Sequence, residues 1–210
     1  AEGEIVSTAD ASGITDEDIA AAIEHLTGDI MQVPAAVSAI KIDGKRAHEL
    51  ARAGEQVDIP ARPVTVHSFE HTVRRGAHVD IDARVHCSSG TYIRALARDL
   101  GEKLQVGGHL IALRRLRVGP FSIDEASTLS DLEASPALSL SMDEALTRGW
   151  PVLDVTQDEY DALAMGKWLE PRGLKGVHAA QGPDGRVVAL IKEQGKRLAT
   201  TFVARPSTLG

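Results

Sequence analysis

Apolar positions recur along this chain with two periods, and the changes from one to the other mark its elements. Thr15-Asp-Glu-Asp18 followed by IAAAIEHL predicts a capped helix, with Thr15 accepting from the free N–H groups and the acids at the positive end. Gly28 is expected just past its last turn. Ala36–Ile42 reads as a strand reaching a turn at Asp43-Gly44, and Arg46–Ala53 as a short helix stopped by Gly54. Val64–Val73 and Ala77–Cys87 predict two strands; in the second, Val79, Ile81, Ala83, Val85 and Cys87 alternate with polar residues. Thr91–Leu104 switches to helical spacing, with Ile93, Leu96, Ala97, Leu100 and Leu104 on one face.

After Gly107-Gly108, the run HLIALRRLRVGPF reads as a strand ending at Gly119-Pro120. Residues 122–148 are acidic, with a short helix expected over Met142–Arg148. A new unit is expected near Trp150-Pro151: VLDV, a helix over Gln157–Met165, then strands at Gly176–Ala180, Arg186–Ile191 and Arg197–Ala204. Turns at Pro183-Asp-Gly185 and Gln194-Gly195 separate these strands, so the last 60 residues or so read as a small β-rich domain. No internal repeat or low-complexity segment interrupts the pattern.

Composition adds a few bounds. The chain has 210 residues, 43% hydrophobic but only 3% aromatic, so its core rests on Val, Leu, Ile and Ala. No apolar run reaches the ~20 residues of a membrane span, and Ala-Glu-Gly-Glu is no signal peptide. The single Cys87 cannot form an internal disulfide. A cytoplasmic setting with no membrane contact is the expectation.

The net charge of −7 argues against a nucleic-acid ligand only until it is resolved along the chain. Residues 1–33 hold eight acids and no Lys or Arg; residues 41–118 are locally +5, 124–170 are −9, and 171–210 are +5. Affinity for RNA follows clustered cations, so two basic stretches permit a two-patch RNA contact. The competing reading makes them ordinary solvated faces.

Chemistry-bearing motifs are mostly missing. The eight His and one Cys show no metal-ligand spacing, and neither phosphate-binding glycine loop nor Gly-x-Ser-x-Gly occurs. The segment Cys87-Ser-Ser-Gly-Thr-Tyr-Ile-Arg94 stands apart. Gly90 lets the chain turn from strand to helix, leaving Thr91, Tyr92 and Arg94 in a first helical turn at a sheet edge. Arg94 there could pair with a carboxylate or phosphate; as readily, it could be a surface charge and Tyr92 a core filler.

Ser89-Gly-Thr-Tyr-Ile-Arg94, Asp99-Leu-Gly, and His109-Leu-x-x-Leu-Arg-Arg-Leu-x-Val-Gly-Pro-Phe121 together resemble the second half of the TruB pseudouridine synthases. So does Gln32-Val-Pro…Ser38-Ala-Ile-Lys41-x-x-Gly44-Lys-Arg…Leu50-Ala-Arg52. The motifs keep the family's order over about residues 28–121; beyond 150 the chain is similar to the family's small PUA-like RNA-binding domain. The resemblance implies an α+β fold: a mixed, largely antiparallel sheet flanked by helices over 1–149, then a small β-rich PUA-like domain over 150–210. It implies isomerisation of uridine 55 in the tRNA T-arm to pseudouridine by base flipping, without metal or organic cofactor. It implies that Arg94 pairs with the catalytic aspartate, that Tyr92 and Leu113 line the uracil pocket, and that Ser38 and Lys41 lie close to it. Lys45, Arg46, His109, Arg114 and Arg115 are then RNA contacts, and the protein is expected to be a monomer.

Two departures matter. The family's Gly-x-Leu-Asp-Pro-x-Ala-Thr-Gly motif, which supplies the nucleophile, is not among these residues, and Leu153-Asp154 lacks its context. The family's upstream Tyr is missing as well, and position 37, often Tyr, is Val37. Ala1-Glu-Gly-Glu-Ile resembles the stretch after both, so the expectation is a parent chain beginning well before Ala1. The rival functions are a non-catalytic RNA-binding or RNA-chaperone module, and a structural domain with no RNA role.

Overall fold

The computed structural model describes residues 7–34, 41–42, 45–46 and 59–209, the side chains of 41, 42, 45, 46 and 209 excepted. Its residues pack as two units, Ala1–Leu113 and Arg114–Gly210. The boundary read from sequence at 149/150 lies inside the second.

In the first unit, helix α1 (Asp16–Glu24) starts as expected: the Thr15 hydroxyl accepts from the Asp18 N–H at 3.1 Å while the Asp18 carboxylate accepts from the Thr15 N–H at 2.9 Å. Strand β1 (Gly28–Gln32) follows, so Gly28 opens a strand where a helix end was expected; its φ of 92 turns the chain. Hairpin β2 (Lys41–Ile42) and β3 (Lys45–Arg46) brackets the expected Asp43-Gly44 turn, which itself lies outside the described residues. Arg46 is therefore strand, where a helix start was expected, and the remainder of that helix lies outside the described residues.

Strands β4 (Arg62–Arg75) and β5 (Val79–Cys87) form a long antiparallel hairpin, and β1 pairs on the other side of β4. One sheet face carries Val66, Phe69, Val73, Val79, Ile81, Val85 and Cys87 onto Ile19, Ala22, Ile23 and Leu26 of α1. Leu96 and Leu100 of helix α2 (Ile93–Lys103) complete that core. The opposite face is polar, with Glu70 across from Arg84 and an Arg74–Asp82 ion pair at 3.1 Å. The period of two in β5 thus faces one helical layer and water.

The second unit opens with hairpin β6 (Arg117–Val118) and β7 (Phe121–Ser122), then short helix α3 (Leu129–Ala134) and helix α4 (Met142–Gly149). Strand β8 (Val152–Asp154) and helix α5 (Gln157–Ala164) lead into β9 (Val177–Gln181), β10 (Val187–Gln194) and β11 (Arg197–Val203). The sheet order is β11-β10-β9-β8, antiparallel except for β8 with β9. Central β10 is buried on both faces: Val188 and Ile191 meet Leu163 of α5, while Val187 and Leu190 meet Leu146 of α4. The α+β expectation holds, as do the C-terminal strands. The expected strand over 109–121 shrinks to two residues: 109–116 have no regular structure, and among the described residues Arg117–Val118 pair only with the adjacent hairpin arm.

Asp143, at the start of α4, fastens that helix to the sheet. Its carboxylate accepts from the Val187 N–H at 2.7 Å and from two Arg205 nitrogens at 2.8 Å each. Burial pushes this carboxyl up, but the Arg205 and Val187 hydrogen bonds and the Arg205 and Arg186 charges outweigh it, and its pKa lies below the ordinary 3.8. A depressed folded pKa contributes stability above the ordinary value, lost as pH falls through the folded one. Asp143→Asn is expected to destabilise the protein by about 1–3 kcal/mol at pH 7. In thermal melts over a pH series the deficit should close below the ordinary carboxyl value of 3.8. A deficit constant down to the acid limit would show that charge is not what Asp143 contributes.

Candidate active site

The strand-to-helix turn after β5 is built by small polar residues. Ser88 N–H donates to the Thr65 carbonyl at 2.8 Å, and its hydroxyl accepts from the Thr65 N–H at 3.0 Å, so the end of β5 stays on the sheet. The Thr91 hydroxyl donates back to the Ser88 carbonyl at 2.9 Å. Between them Gly90 takes φ 84, a left-handed conformation that costs a side-chain-bearing residue about 1–2 kcal/mol. Tyr92 is the N-cap of α2, half-buried, with extended backbone and no capping bond of its own side chain.

Arg94 is exposed in the first turn of α2, a turn with no acid. It forms no ion pair among the described residues. A cation there opposes the helix dipole by about 0.3–1 kcal/mol. The turn places a guanidinium-bearing residue at the positive end of a helix, a combination that can hold a carboxylate ionised.

Gln32, quoted in the sequence only as part of a motif, turns out to anchor this turn. It ends β1 at 1% exposure and is the one buried polar side chain among the described residues. Its Nε2 donates to the Tyr92 carbonyl at 3.1 Å, and the Tyr92 N–H donates to its Oε1 at 2.8 Å. Arg98 of α2 adds a bond from Nη2 to the Val33 carbonyl at 2.8 Å. A polar residue at the inward-facing end of a strand is the signal that could have found Gln32.

At its other end α2 is met by the returning chain. A Cβ on Gly101 would lie 2.0 Å from the Gly107 carbonyl carbon and 2.2 Å from the Gly108 nitrogen. One on Gly108 would lie 2.4 Å from the Ala97 carbonyl oxygen. Through these two glycines the chain after α2 packs directly on the helix backbone. His109 and Leu113 are exposed, Leu113 at 62%, as are Arg114 and Arg115 at the start of the second unit. Tyr92 and Arg94 therefore share one turn, Leu113 lies on the stretch that follows α2, and Lys41, Lys45 and Arg46 share the short hairpin; Ser38 lies outside the described residues.

In the second unit a groove of about 540 Å³ is lined by Gly166, Trp168, Gln194, Lys196, Arg197 and Thr200. Trp168 is 46% exposed, and the Arg197 guanidinium carbon sits 4.9 Å from its ring centroid. Among the described residues no group of three or more His, Cys, Asp or Glu could hold a metal ion, and no helix is long and apolar enough to cross a membrane.

Three family models match in succession: TruB family pseudouridylate synthase (N terminal domain) over residues 1–93, tRNA pseudouridylate synthase B C-terminal domain over 94–149, and tRNA Pseudouridine synthase II, C terminal, over 150–205. The chain is 66% identical over 211 residues to tRNA pseudouridine synthase B of Corynebacterium glutamicum, covering all of this chain and 71% of that protein. It is 55% identical to the protein of that name from Rhodococcus jostii, covering 70% of it. Among solved structures it is similar to a Cbf5-Nop10-Gar1 complex, with TM-score 0.68 and 23% identity. That match covers 93% of this chain and 64% of the solved one, so the chain spans under two thirds of that neighbour's length, and the likeness concerns fold.

Gly101→Ala is expected to lower stability by about 1–3 kcal/mol, because the added methyl meets backbone rather than a flexible side chain. Thermal unfolding measures this, and an unchanged midpoint would mean that the Gly101–Gly107 approach is looser than described.

Proposed function

The chain belongs to the TruB family of pseudouridylate synthases, and we propose that it serves the isomerisation of uridine 55 in the tRNA T-arm to pseudouridine. What carries this is the coincidence of one geometry with one relationship. Arg94 forms no ion pair among the described residues and stands at the start of α2, in a chain 66% identical along its length to a tRNA pseudouridine synthase B.

The reaction breaks the bond between ribose and N1 of uracil and rejoins ribose to C5. The base must leave the stack to be reached, and a half-buried Tyr92 with the apolar Leu113 offers lining that repays part of the unstacking. The Gly-x-Leu-Asp-Pro-x-Ala-Thr-Gly motif is not among the 210 residues, so these residues supply pocket, RNA contacts and the cation for the nucleophile. Arg94 keeps that aspartate ionised and aimed. Lys41, Lys45, Arg46, His109, Arg114 and Arg115 contact or support the RNA backbone, and Ser38 lies near the pocket. The substrate is free tRNA, the setting the cytoplasm, and the acting species a monomer.

Residues 150–210 act as a small PUA-like RNA-binding module after the catalytic portion at 1–149. The groove at Trp168 supports this: an exposed indole beside Lys196 and Arg197 suits an unpaired base and its phosphate.

Two measurements test the reading. Arg94→Ala in the full-length gene product should lower pseudouridine formation in a T-arm hairpin at least about 100-fold while hairpin binding stays within a few-fold. Equal losses of binding and turnover would make Arg94 a phosphate contact, and binding without any conversion by the unaltered product would favour the non-catalytic RNA module. Trp168→Ala should weaken binding of intact tRNA about tenfold, the worth of one stacked base. Unchanged affinity at low and high salt would remove the groove from the RNA surface.

A further inference from the structure

We infer that Gln32 is a positioning residue for the reaction: by gripping the peptides on both sides of Tyr92, its buried amide sets the direction in which Arg94 leaves the helix. This rests on the role proposed above for Arg94 and goes beyond it, since Gln32 need touch neither RNA nor nucleophile.

The geometry leaves little freedom. A backbone N–H only donates and a carbonyl only accepts, so the Gln32 amide can face Tyr92 in one orientation alone. The Tyr92 carbonyl also accepts from the Ala95 N–H at 3.0 Å and the Leu96 N–H at 3.1 Å, the bonds that begin α2. Gln32 therefore fixes the peptide from which the helix starts, two residues before Arg94. Tyr92 has no side-chain capping bond, so nothing in the local sequence duplicates this hold. Gln32 is also the last residue of β1, and the Arg98 bond to the Val33 carbonyl ties the next residue to the same helix. Both bonds from Gln32 cross sixty positions of sequence, so they couple two segments that local structure leaves independent.

A role in stability alone would show the same contacts, and the test must separate the two. Gln32→Glu keeps the shape. Ionised, its carboxylate still accepts from the Tyr92 N–H, but its second oxygen faces the Tyr92 carbonyl, acceptor against acceptor. Protonated, its hydroxyl donates to that carbonyl and both bonds return. In the full-length gene product, kcat of Q32E on a T-arm hairpin should fall about 100-fold at pH 8 with KM within about threefold, on the scale of a misplaced catalytic group. Relative to the unaltered protein at each pH, it should recover at least about tenfold toward pH 5.5, because burial favours the neutral acid. A Q32E kcat equal to the unaltered protein's at every pH, with only the melting temperature lowered, would overturn the positioning role.

Gln32→Met removes both bonds without a buried charge, and covers the case in which Q32E unfolds at pH 8. A kcat loss with KM held and no pH recovery supports the role, and an unchanged kcat overturns it. The unaltered protein in the same assay reports separately on the function: if it makes no pseudouridine, the proposed activity has failed, whereas activity there with the outcomes above isolates Gln32.

Discussion

Two hydrogen bonds between Gln32 and the backbone of Tyr92 organise the strand-to-helix turn of the first unit. Leaving a buried amide unpaired costs on the order of 1–3 kcal/mol per group, so a fully buried Gln is retained where its partners are fixed and complementary. Here those partners are both polar atoms of one peptide-flanked residue, the N-cap of α2. The apolar layer of α1 and α2 on the sheet holds the helix in place along its length, but dispersion and burial are non-directional and do not specify where the first turn points. Direction comes from the polar contacts: Gln32 at the cap, Arg98 on Val33, Ser88 and Thr91 in the turn, and Gly90 supplying a conformation other residues avoid.

The distribution of charge follows from the same division of labour. A net −7 looks ill-suited to a polyanion, yet many of the acids are engaged within the fold. Asp18, Asp131, Glu144 and Glu159 each close a capping box, and hydrogen bonds from the Thr or Ser that starts the helix hold each carboxyl below its ordinary value. Asp143 pairs with Arg205, Glu125 with Arg148, and Glu159 also with Arg172. The acidic middle of the chain is thus largely helix-terminus chemistry, and Arg94, Arg114 and Arg115 stand outside those pairs. Net charge alone misjudges such a surface because it counts neutralised carboxylates and free guanidinium groups alike.

What sequence could reveal depended on whether the deciding interaction was local. Thr15 and Asp18 lie three apart, so the start of α1 was readable, and the alternation from Val79 to Cys87 needed only a polar face and an apolar one. Strand β1 escaped notice because the post-helical glycine that opens it reads as a stop, and because its innermost position is polar Gln32, satisfied sixty residues away. The run from His109 to Phe121 reads as a strand, but β structure needs a pairing partner, and 109–116 have none among the described residues. What shapes this stretch at its start is the contact of Gly107 and Gly108 with α2, which no periodicity encodes. Helix α3 buries none of its six residues, so there was no stripe to read. Tyr92 and Arg94 stand out by resemblance; the hold of Gln32 on the Tyr92 backbone, sixty residues away in sequence, does not. Ser38 and the helix expected over Arg46–Ala53 lie, Arg46 apart, outside the described residues.

The stretch after α2 carries the argument one step further. Ile111, Leu113, Leu116 and Val118 are 63%, 62%, 43% and 55% exposed, interleaved with Arg114, Arg115 and Arg117. Apolar side chains left in water beside cations make poor sense as core and poor sense as a simple solvated face. They make sense against a ligand that itself alternates flat apolar surface with negative charge, which is what an RNA loop presents once a base leaves its stack. On the function proposed above, the turn that carries Arg94 then serves the chemistry, and this stretch of mixed character serves the RNA that brings the base there.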